Sequence, residues 1–152
     1  MDLPKTTASV TLRFNEDLAS DADFFGLHAN VACRGFTGHT QFTIARRDVQ
    51  RFIADATNLP SNASDSALLL GGWDHAEERL RLQIARAGLS GQFVARVRIA
   101  TTGPRADQWN RVETEFITPP TALTAFTENL ARLVADQSAP NASLTGDAEA
   151  TE

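Results

Sequence analysis

The sequence predicts an α+β fold, an antiparallel sheet of about six to seven strands with two amphipathic helices packed on one face. Three observations carry that expectation. Between residues 79 and 136 the chain runs through three segments of period 2 and then one of period 3.6. Short, glycine-bearing connections separate the extended segments, which makes neighbouring strands antiparallel. The polar side chains of each extended segment fall at alternate positions, so each strand has one apolar and one water-facing side.

The elements follow in order. Val10, Leu12 and Phe14 alternate with Thr11 and Arg13, a first strand, and residues 15–25 read as a connecting loop. Leu27, Ala29, Val31 and Cys33 then alternate with His28, Asn30 and Ala32, and Phe36, Thr40, Phe42 and Ile44 follow Gly35, which suits a tight turn. Val49, Phe52, Ile53, Ala56 and Leu59 fall at helical spacing, and Pro60 stops the helix. Residues 66–70 form a short strand before Gly71 and Gly72. Leu80, Leu82 and Ile84 mark the next strand, Phe93, Ala95, Val97 and Ile99 its partner across the loop 87–91, and Val112, Thr114 and Phe116 the last of the meander. Thr118-Pro119-Pro120 reads as a capped helix start, and Leu123, Phe126, Leu130, Leu133 and Val134 are the apolar stripe of that closing helix. Residues 1–137 are thus expected to form a single α+β domain. Residues 138–152, dominated by Ala, Ser, Thr and acids, are expected to be a disordered acidic tail.

Composition narrows the function classes. At 152 residues with 42% hydrophobic content the chain can build a proper core. Its net charge is −5, and removing Asp147, Glu149 and Glu152 leaves fourteen basic against sixteen acidic residues, a body near neutrality. That speaks against a general nucleic-acid binder. Residues 1–7 lack a basic stretch followed by an apolar one, and the run 67–70 is too short to span a bilayer, so a cytoplasmic protein with no membrane partner is expected. Cys33 is the single cysteine, which excludes an intramolecular disulfide and thiolate-rich zinc sites and reads as a core residue.

No catalytic constellation is legible. His28 and His39 share a water-facing side without lying opposite each other, and His75 falls in a turn, so no metal set assembles. Asp74-His75-Ala76-Glu77 holds a His-x-Glu spacing, but the zinc deaminase signature also requires two further cysteines. Glu77 with Glu78, and Glu113 with Glu115, sit where water would hold their pKa values together, and no phosphate loop, nucleophile elbow or dinucleotide fingerprint occurs. No cofactor is expected.

The charged side of the meander is the candidate site. A hairpin pairing Leu82 with Ala95 would set Arg79 against Arg98 and Arg81 against Arg96. A second, pairing Ile99 with Val112, would set Arg98 against Glu113 and Arg96 against Glu115. Such a ladder is either a solvated face with internal ion pairs or a docking surface for acidic groups of a partner. Trp73, in the turn before the meander, is a further partner-binding candidate, and Trp109 an aromatic cap or anchor.

The order of landmarks resembles a family. Gly35-Phe36-Thr37-Gly38 opening a strand, Asp48-Val49-Gln50-Arg51-Phe52 starting a helix, Gly88-Leu89-Ser90-Gly91-Gln92 in a hairpin, the strand 110–116, and Leu123-Thr124-Ala125-Phe126 before Leu130 look like the WapI-type immunity proteins of bacterial polymorphic-toxin systems. The resemblance implies a non-enzymatic antitoxin that binds and neutralises a cognate toxin protein, often a nuclease; a monomer or weak dimer is expected. The competing class is a small-ligand-binding or adaptor domain acting through the sheet face or an edge strand.

Overall fold

The charged and apolar sides of the meander belong to one antiparallel sheet that bends until its apolar face closes on itself. The computed structural model describes residues 7–16, 21–33, 35–61, 65–72, 79–88, 91–102, 109–135 and 140–148. A first meander, β1 (Thr7–Phe14), β2 (Phe24–Cys33) and β3 (Phe36–Ala45), leads into helix α1 (Arg46–Thr57). A second, β4 (Ser66–Gly71), β5 (Leu80–Arg86), β6 (Phe93–Thr102) and β7 (Trp109–Thr118), leads into α2 (Pro120–Ala135). Strand β8 (Asn141–Asp147) then returns to the middle, giving the order β3-β2-β1-β8-β7-β6-β5-β4 with every neighbour antiparallel. The class is the expected one, with eight strands among the described residues where six to seven were expected.

The correction is β8. Residues 141–147, expected to be disordered, pair with β1 over seven positions from Thr7↔Asp147 to Arg13↔Asn141 and bury Ala142, Leu144 and, just beyond, Ala148. Thr11 and Ser143 hydroxyls meet at 2.8 Å on the polar side. The period-2 alternation is present in the sequence, but its inward residues are Ala142, Leu144 and Gly146, too small to register as a core strand. They are small because α2 lies over the strand and β7 crowds its end. A Cβ on Gly146 would come within 2.1 Å of the Ile117 carbonyl oxygen, so the close approach itself selects glycine. The rest of the expected tail, 138–139 and 149–152, lies outside the described residues.

A second correction concerns Thr118. It does not cap α2; it ends β7, and its hydroxyl donates to the Thr145 carbonyl of β8. Pro119 supplies the carbonyl that accepts the first helical N–H groups, from Ala122 and Leu123.

Both helices pack on the apolar face. Helix α1 buries Val49, Phe52 and Ala56, and α2 buries Leu123, Phe126, Leu130, Leu133 and Val134. Phe52 and Phe126 meet edge-on with centroids 6.2 Å apart, joining the helices inside the fold. Away from the helices the sheet covers itself. Thr40 of β3 donates to the Ala100 carbonyl of β6, and a Cβ on Gly38 would lie 2.9 Å from Ile99. Cys33, buried as expected, accepts a hydrogen bond from the Thr114 hydroxyl across the same interface.

Arg46 ties the helical end together. Its guanidinium lies 5.0 Å over the Phe25 ring, donates to the Ala22 carbonyl, and reaches the Val134 carbonyl in the last turn of α2, where no intrahelical donor exists. Asp21 shapes the adjoining turn by accepting from the Phe24 and Asp23 amides, which hold its carboxyl below the ordinary value.

Two outcomes follow. Deleting residues 138–152 removes the strand joining the two meanders, and the truncated chain should lose its cooperative unfolding transition in calorimetry; a melting temperature within about 2 °C of the full chain would show β8 to be dispensable. Phe126→Ala should destabilise by about 3–5 kcal/mol in chemical denaturation, the usual cost of emptying a buried aromatic site; an unchanged midpoint would contradict its burial.

Candidate functional site: the outer face of the second meander

Strand pairing settles which polar side chains share a row on the outer face. In the β6–β7 hairpin Arg98 opposes Glu113 and Arg96 opposes Glu115, as expected from sequence. Arg96 Nε donates to Glu115 Oε2 at 2.5 Å. Both groups are exposed enough that water limits the pair to about 1 kcal/mol or less.

The β5–β6 register differs from expectation by two residues. Arg81 opposes Arg98, Gln83 opposes Arg96 and Leu82 opposes Val97. The cause is a connection two residues longer than the expected pairing implies. Ala87 N–H closes on the Gln92 carbonyl at 2.9 Å, and Gly88 and Gly91 take the left-handed conformation that lets the strands pair out to Arg86↔Phe93. A two-residue shift keeps every side chain on its face and changes only its neighbour. Arg79 consequently sits beside Ala100, whose N–H bonds to the Arg79 carbonyl, and not beside Arg98.

Strand β4 completes the rows. Leu70 opposes Arg81 and Leu68 opposes Gln83. Both leucines point outward and are exposed, at 43% and 40%. Across four strands, one row reads Leu70, Arg81, Arg98, Glu113 and the next reads Leu68, Gln83, Arg96, Glu115. From the edge strand inward, the surface grades from apolar through basic to acidic. The leucines were not singled out from sequence, because residues 67–70 read there as one apolar run; only their alternation in a paired strand separates buried Ala67 and Leu69 from exposed Leu68 and Leu70.

The outer face of the first meander is different in kind. Ser9, Thr11, His28, Asn30, Thr37, His39, Gln41 and Thr43 occupy it, with Arg13 at one end. His28 opposes Gln41 and His39 opposes Asn30, so the two histidines are offset as expected. Trp73, His75, Glu77 and Glu78 lie outside the described residues, as does the Trp109 side chain.

Two open grooves flank this face. One, of about 820 Å³, lies where the sheet's outer strands β3 and β4 approach, between Phe24, Ile44 and Leu70 and the start of α1. The other, of about 810 Å³, lies between the β2–β3 turn and β7. Among the described residues no three His, Cys, Asp or Glu side chains gather as a metal set, and no helix is long and apolar enough to cross a membrane. No protein-family model, curated protein or solved structure matches the chain.

Proposed function

We propose that this chain is a binding protein of the cytoplasm, an antitoxin of the immunity type that neutralises a toxin protein by docking the outer face of β4–β7 onto it. The observation that carries the reading is the graded pair of rows. Arg81 and Arg98 lie directly opposite one another on this face, so an acidic partner group seated between them would be held by both guanidinium groups. Leu68 and Leu70 beside them offer apolar area that folding leaves in water. Apolar anchors next to charge are the composition of a protein interface. A phosphate backbone would meet Glu113 and Glu115 immediately beside the arginines, which disfavours nucleic acid as the partner. No reaction is assigned to the face, and no cofactor.

The test is binding of the purified chain to the toxin domain encoded in the adjacent gene. Arg81→Glu combined with Arg98→Glu should weaken the complex at least tenfold, about 1.4 kcal/mol, with the loss larger at low salt than at high. Leu68→Ser with Leu70→Ser should weaken it by a similar factor at every salt concentration. Both double variants should keep the parent melting temperature, because all four side chains point away from the core. Full affinity in both folded variants would remove this face from the interface.

A further inference from the structure

β7 is paired along only one side. Strand β8 meets it at a single position, Ile117↔Asp147, and then follows β1, so among the described residues the edge of β7 from residue 110 to 116 faces no strand. An unpaired edge in the interior of a sheet presents main-chain donors and acceptors to whatever enters beside it. Here it borders the groove of about 810 Å³, lined by Val31 and Val112, the exposed ring of Phe36, the carboxylates of Glu113 and Glu115, and Arg96, which is bonded to Glu115 and leaves the lining with a net negative charge. Phe36, at 71% exposure, is the most exposed large apolar side chain among the described residues and projects from the β2–β3 turn at the mouth of the groove.

We infer that this groove takes an extended segment of a partner protein, added as a strand to the free edge of β7, with apolar and basic side chains in alternation. Main-chain pairing supplies the seat. Side-chain alternation supplies the selectivity, since an added strand sends every second residue inward to Val31, Val112 and Phe36 and the others outward beside Glu113 and Glu115. Charge favours such a segment over an acidic one: extending the β8 register beyond Asp147 would set Glu149 against Glu115, a like-charge pair, where a basic side chain would meet opposite charge. The proposal stands apart from the docking of Arg81 and Arg98, which uses the outer face of β5 and β6 and needs no strand addition.

The experiment uses the full chain and a fluorescent octapeptide alternating lysine and valine, read by anisotropy and by amide hydrogen exchange of β7. The peptide should bind, and the amides between residues 112 and 115 should exchange at least about tenfold more slowly in its presence. A glutamate–valine peptide of the same pattern, and a lysine–valine peptide N-methylated at every residue, should each bind at least tenfold more weakly. Glu113→Gln with Glu115→Gln should weaken the parent peptide by a similar factor in a variant that still unfolds cooperatively, while Arg81→Glu with Arg98→Glu should not weaken it. Equal binding of the N-methylated peptide would overturn strand addition. Equal binding of the acidic peptide would overturn the charge selection, and failure of every peptide, or unchanged exchange in β7, would overturn the site.

Discussion

Pairing of β8 with β1 is the constraint on which the rest of the structure depends. The chain makes two antiparallel meanders, each followed by a helix, and each meander by itself leaves an inner edge, β1 or β7, without a partner. β8 closes the first edge along its length and touches the second at Ile117. It also gives α2 a surface to lie on, and α2 in turn meets α1 through Phe126 and Phe52. Contacts such as Thr11 with Ser143 span 132 residues of sequence. Loop-closure entropy grows only logarithmically with length, so an ordered strand at the far end of the chain remains affordable in stability although it slows folding.

Bending the sheet over its own apolar face then sets the sizes of the residues that meet across it. Gly71 faces the Phe42 ring so closely that a Cβ would fall 2.3 Å from it, and Gly38 faces Ile99 and Val112. These glycines lie in strands, where the residue normally weakens pairing, and their presence is explained by the approach of β3 to β4 and β6. Large inward side chains elsewhere, Phe25, Phe116 and Leu82 among them, fill the wider parts of the same interior.

The outer face is under no such packing constraint, so the contrast between its halves does not arise from packing. Uncharged polar residues cover most of the first meander, whereas the second carries leucine, arginine and glutamate in successive strands. Turn geometry at Ala87 and Gln92 decides which arginines are neighbours, so a backbone hydrogen bond far from the surface in question composes its charge pattern. The split between β7 and β8 adds a second feature of a different kind, an edge and not a face.

By itself the sequence determined what is local. Alternation with period 2 located six strands and a short apolar run a seventh, the stripe from Leu123 to Val134 located α2 and its buried side, and the β6–β7 ladder followed from counting outward from the loop. Only tertiary structure decided what depends on a neighbour. The β5–β6 register turned on where a glycine-rich loop closes, and the exposure of Leu68 and Leu70 on which side of β4 the sheet folds over. β8 was decided in the same way. Ala142, Leu144 and Gly146 bring little apolar mass of their own and become core because β1, Phe116 and α2 converge on them, so the stability of that strand resides in other elements, β1 among them more than a hundred positions away, as much as in its own residues.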